Sequence, residues 1–120
     1  MTLATDLAHF TGTEDYYRHG LNRSVVFTDG VKYFADTAGA HWLLDIIATE
    51  LVKPLKDEGF LHIKAVVAGG KASLTADDGN GKVLWSRHID FTDCPEGEWR
   101  FFFAPGGPDG TLVIMLPSEY

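Results

Sequence analysis

His41–Val52 reads HWLLDIIATELV, and its apolar spacing decides the fold. Trp42, Leu43, Ile46, Ile47 and Leu51 fall at helical intervals and form one broad apolar face; His41, Asp45, Thr49 and Glu50 fall on the other side. The spacing predicts a central helix lying across a sheet built from the second half of the chain. Just upstream, Thr28 stands where an N-cap belongs and Asp29 lies near the positive end of a helix dipole. Val31, Phe34, Ala35 and Ala38 then continue at helical spacing, and Gly39 closes that helix at a position that favours a left-handed residue. The two helices are expected to meet at a sharp corner, and Pro54 to end or bend the central one near Val52. Further upstream, Thr2–Phe10 can form a short first helix, capped by Thr2 or Thr5, with Leu3, Leu7 and Phe10 as its stripe. Val25–Phe27 is a short apolar run that reads as a strand or a buried linker.

After Gly59 the apolar period changes from 3.6 to 2. Leu61, Ile63, Ala65 and Val67 alternate with His62, Lys64 and Val66, and Ala72, Leu74 and Ala76 do the same beyond a Gly69-Gly70 turn. Asp77–Gly81 is a second turn, rich in residues that tolerate positive φ. Val83, Trp85, Ile89 and Phe91 share a face interrupted by Arg87. Thr92–Gly97 reads as the next turn, before Trp99, Phe101 and Phe103. Leu112, Ile114 and Leu116 follow the Pro105–Gly110 turn. Helices first and strands second predict one α+β domain over residues 1–120: residues 1–58 mainly helical, residues 60–117 a five-stranded antiparallel meander, the helices on one face.

Composition narrows the function classes. With 45% hydrophobic and 12% aromatic residues in 120, the chain can bury a real core. Its single cysteine, Cys94, excludes an internal disulfide and fits a reducing compartment. No signal-peptide pattern opens the sequence and no run approaches the ~20 apolar residues of a membrane span, so a cytoplasmic protein without membrane partners is expected. The formal charge is −7, with acidic residues exceeding basic ones in both halves. No basic stripe is present, so direct nucleic-acid binding is not expected; an acidic surface serves solubility or attracts a basic partner.

Cofactor and metal templates fail. The histidines at 9, 19, 41, 62 and 88 are scattered, with no HExxH or CxxC, and there is no glycine-rich phosphate loop or GxSxG. Asp93 beside Cys94 opposes activation of that thiol. The densest chemistry is Glu14-Asp15-Tyr16-Tyr17-Arg18-His19: two carboxylates, two phenols, a guanidinium and an imidazole in six residues. A catalytic use takes His19 as base, oriented by Glu14 or Asp15; the plainer use is a tyrosine anchoring the loop while Arg18 pairs with an acid. Phe102, Val113 and Met115 fall on the solvent face of the last two strands, as a patch for a partner or a second copy unless the loops or termini cover it.

Four segments carry a resemblance. FTGTEDYYRH (10–19), FTDGVKYFADTAGAHWLLDIIA (27–48) and the LPSEY of 116–120, together with DDGNGKVLWSRHIDFTD (77–93), resemble an uncharacterised bacterial family known only as a domain of unknown function, found on chromosomes, plasmids and phages. The resemblance implies no catalytic residues. Its occurrence on mobile elements implies an accessory role, because small acidic proteins of such elements often inhibit host machinery, CRISPR–Cas complexes included. The expected function is therefore a non-enzymatic, acidic protein-binding module, of anti-CRISPR type, on a basic nucleic-acid-binding surface. Its candidate contacts are Glu14, Asp15, Tyr16, Tyr17, Arg18, His19, Phe102, Val113 and Met115. A small hydrolase or ligand-binding enzyme using His19, and a structural homodimer through Phe102, Val113 and Met115, are the alternatives.

Overall fold

In the computed structural model, which describes residues 3–120, the first helix is α1 (Leu3–Leu7), so a cap at Thr2 lies outside the described residues. Leu3, Leu7 and Phe10 pack half-buried against the core. The next two helices form as α2 (Asp29–Ala38) and α3 (His41–Glu50). Thr28 Oγ1 accepts the Val31 N–H at 3.4 Å, and Gly39 adopts φ 64°, a left-handed conformation that a Cβ would strain. Pro54 does not lead out of the helical layer. It sits in the first turn of α4 (Val52–Glu58), where a missing N–H removes no helical bond.

The sheet has seven strands: β1 (Tyr16–Arg18), β2 (Val25–Thr28), β3 (Leu61–Ala68), β4 (Lys71–Asp77), β5 (Val83–Ile89), β6 (Gly97–Pro105) and β7 (Leu112–Met115). Their spatial order, β1-β2-β7-β6-β3-β4-β5, corrects the five-stranded meander in two ways. First, β2 is a full member of the sheet, antiparallel to β1 and parallel to β7. All four of its residues are buried, which is why VVF shows no alternation. Second, β6 pairs with β3 rather than β5, with Ile63 opposite Phe101. The chain after β5 crosses the end of the β3–β4 hairpin, giving β3–β6 the 4-1-2-3 order of a Greek key. Burial gives the physical reason. β6 carries Trp99, Phe101 and Phe103, which need the middle of the sheet under the helices, whereas β5 has no buried residue and takes the edge.

Helices and sheet share one dry interior. Phe34 of α2 lies with its ring 5.1 Å from Phe101 and 5.4 Å from Trp99. Leu43 and Ile47 of α3 are buried in the same cluster as Ile63, Leu74 and Ile114. A bulge in β5, opposite Ala76 and Asp77, moves Val83 off the core face, and it is exposed. Among the described residues no helix is long and apolar enough to cross a membrane.

Candidate functional site

The Glu14–His19 cluster does not converge on one point. Glu14 and Asp15 leave their carboxylates in solvent and donate backbone N–H groups to Asp29 Oδ2, at 3.0 and 3.4 Å. Tyr17 donates its hydroxyl to Asp29 Oδ1 at 3.0 Å and stacks on Phe27. Arg18 donates to the Arg23 carbonyl rather than to an acid, and Tyr16 is exposed on β1. His19 is buried, and its acid is Asp45 of α3, not Glu14 or Asp15: Nε2 lies 2.8 Å from Asp45 Oδ1. The Leu21 and Asn22 N–H groups both point at Nδ1, 3.1 Å away, which sets the ring proton on Nε2. Asn22 adds a second tie, donating to the Ala48 carbonyl at 3.0 Å. The loop is thus stapled to α3.

Three of the four segments behind the family resemblance meet at the start of α2. Thr13 Oγ1 accepts the Asp29 N–H, while Glu119 accepts from the Thr28 hydroxyl at 2.6 Å, the Gly30 N–H at 3.1 Å and the Leu116 N–H at 3.0 Å. A carboxylate at a helix N-terminus satisfies donors that have no partner within the helix and complements the dipole. Gly30 is required by this closeness, since a Cβ there would lie 2.5 Å from Leu116 Cδ1 and 2.8 Å from Glu119 Oε1. Gly30→Ala gains helix propensity but displaces a core leucine and a triply bonded carboxylate. A net loss of about 1.5 kcal/mol is expected in urea unfolding.

The same loop sets an acid dependence. The Glu14 N–H, the strongest influence, and the Tyr17 hydroxyl outweigh burial and hold the Asp29 carboxyl below its ordinary value. A depressed folded pKa means that the unfolded chain takes the proton more readily. The stabilisation is complete above the unfolded carboxyl value of about 4 and disappears as pH falls through the lower folded value. Urea midpoints measured from pH 5 downwards are expected to fall less steeply for Asp29→Asn than for the parent chain.

On the far face of the sheet, Phe102 is half-buried under Phe60 and Tyr120, with ring centroids 5.0 and 5.3 Å away. Met115 is half-buried and Val113 is only 4% exposed, so these three do not form an open apolar patch. The chain's own C-terminal segment covers part of it.

A different surface combines exposure with rigidity. Gly39, Trp42, Asp45 and Ile46 on the helical side, and Arg87, Ile89, Phe91, Thr92 and Asp93 on the sheet side, line a cleft of about 500 Å³. Trp42, Ile46 and Ile89 supply its apolar lining, and Asp45 and Asp93 its acid. Among the described residues Arg87 is the one cation lining it, and its guanidinium is bound to the Glu50 carboxylate. Phe91 stands 78% exposed at the cleft, yet its loop is tied down. The Thr92 N–H donates to the Gly70 carbonyl at 2.7 Å, Thr92 Oγ1 accepts the Cys94 N–H at 3.1 Å, and the Gly69 N–H reaches Glu96 Oε1 at 3.0 Å. Trp99 Nε1–H holds the Pro95 carbonyl at 2.9 Å. An aromatic ring left in water on a fixed loop between two acids, Asp90 and Asp93, has the make-up of an interface anchor. Cys94, next along, is buried, and burial pushes its thiol up to about 11. Alkylation at pH 8 is expected to be slow in the folded chain and to accelerate sharply on denaturation.

Sequence reasoning passes over this cleft. Apolar spacing places Trp42 in the core and Phe91 on the face of a strand, but β5 stops at Ile89. The available signal is IDFTD (89–93), a phenylalanine flanked by acids just past a strand. Among the described residues, no three His, Cys, Asp or Glu side chains are grouped to hold a metal ion.

Comparison with other proteins extends the fold and not the chemistry. A crystal structure of a protein of unknown function from Enterococcus faecalis is similar over 89% of this chain and 92% of that one, with a TM-score of 0.53 and 19% identity. At that identity the likeness concerns the fold alone. No curated protein matches the chain. The model of a family of unknown function, DUF6876, matches residues 1–120, and the chain belongs to that family.

Proposed function

We propose that this protein is a non-enzymatic binding module for a protein with a basic surface, and that the cleft between α3 and the loop after β5 is its contact site. The observation that carries the reading is Phe91: a large apolar side chain, 78% exposed, held on a pinned loop beside a cleft that carries Asp45 and Asp93. The loop that carries the ring is held before binding, so docking costs the ring's own rotamer freedom and little of the backbone's. The surrounding acids, within a chain of net charge −7, steer a lysine- or arginine-rich partner toward it.

The partner that fits is a nucleic-acid-binding protein, whose groove offers such a basic surface. An accessory protein of a mobile element that occupied that groove would inhibit host defence in the anti-CRISPR manner. Glu14 and Asp15, exposed on the loop before β1, add to that steering at long range without touching the partner. A hydrolase built on His19 fits less well. One nitrogen of that ring accepts two backbone bonds and the other faces Asp45, leaving no free lone pair for a substrate proton.

Affinity capture from host lysate tests the reading. The parent chain is expected to retain a basic protein that is released by moderate salt and is not retained by Asp93→Lys. Identical captured proteins for parent and variant at low salt would contradict it.

A further inference from the structure

Among the described residues, the outer edge of β5 carries no partner strand, and it is the longer of the two sheet edges. An uncovered strand edge is a row of unpaired backbone donors and acceptors, which natural proteins normally cover, shorten or break. Here the strand beyond its bulge reads Trp85-Ser86-Arg87-His88-Ile89, in which Trp85 and Arg87 complement each other when the strand is reversed about Ser86. We propose that β5 pairs antiparallel with β5 of a second copy of this chain, the two-fold axis passing at Ser86.

In that register Ser86 faces Ser86 of the other copy, and Trp85 faces Arg87 twice. The faces agree. Trp85 pairs with Ala76 of β4 and Arg87 with Leu74, so both lie on the helical side of the sheet. Each guanidinium, steadied by Glu50, then meets the ring of the opposite tryptophan. Moving the axis one residue spoils this. Centred on Arg87, the strands set guanidinium against guanidinium; centred on Trp85, they leave each Arg87 opposite Val83, beyond the bulge and on the other face. The bulge at Leu84 limits regular pairing to the residues around the axis, so the contact is short and the two Trp85–Arg87 pairs decide the register.

The axis stands perpendicular to the sheet, which keeps both helical layers on one side. Arg87 and Ile89 line the cleft. Two clefts would therefore open on the same face of a continuous sheet, side by side across the axis. This inference does not depend on what the cleft binds.

Sedimentation equilibrium of the full chain, from low micromolar to submillimolar concentration, tests it. A mass of twice the 13.2 kDa chain is expected at the upper end. Ser86→Lys sets like charges opposite each other at an exposed position. It is expected to raise the dimer Kd by about fivefold or more with an unchanged melting temperature. Arg87→Gln, which removes the cation from both tryptophan contacts, should weaken the dimer as well. A monomer at every concentration overturns the proposal. So does a dimer indifferent to Ser86→Lys or to Arg87→Gln.

Discussion

Phe34→Ala is expected to cost about 3–5 kcal/mol of folding stability. Phe34 is fully buried, and its ring bridges the helical layer to β6 through Trp99 and Phe101, at 5.4 and 5.1 Å. Truncation removes the transfer free energy of a phenyl group and leaves a cavity walled by two rings that are themselves held in the sheet. The site cannot collapse cheaply, because Trp99 is tied to the Pro95 carbonyl and Phe101 sits opposite Ile63. Against a total of about 5–15 kcal/mol, such a loss leaves the fold marginal. Urea unfolding followed by tryptophan fluorescence checks it, with a midpoint shifted far down and a nearly constant slope.

Phe91→Ala is expected to do the opposite: to spare the fold and abolish most of the binding. Its ring is 78% exposed, so truncation removes almost no buried area and the melting temperature should hold within a degree or so. Affinity for the captured partner should fall by about 2 kcal/mol or more, roughly thirtyfold, as for a central aromatic anchor. Stability and affinity thus separate between Phe34 and Phe91, two phenylalanines of one chain. Calorimetric titration of the partner with the parent and the variant measures the difference.

The helical half was legible because amphipathic spacing is local. The Thr28 cap, the Gly39 stop and the apolar positions of α2 and α3 all lie within a few turns of one another. Strand existence was legible for the same reason, since alternation in β3, β4 and β6 needs only one buried face. Strand order was not. The chain from Asp90 to Glu96 serves equally as a turn or as a crossing, and only competition for the sheet centre sends β6 to β3. β2 hid because both its faces are covered, which removes the alternation that marks a strand. Long-range polar pairs hid too. His19 and Asp45, or Thr28 and Glu119, meet only once the layers are assembled. The cleft was invisible for a related reason. The half-buried Trp42 and the half-exposed Asp45 lie on the same helix, and a helical wheel assigns them to core and solvent rather than to one border.

The claim that the cleft is the contact site can be read directly with a photoreactive phenylalanine analogue placed at position 91 and, as a control on the far face, at position 16. Illumination in host lysate should join position 91 to a lysine- or arginine-rich segment of a nucleic-acid-binding protein, with no adduct from position 16. Adducts from position 16 alone, or adducts from position 91 only to acidic or apolar segments, would contradict the account.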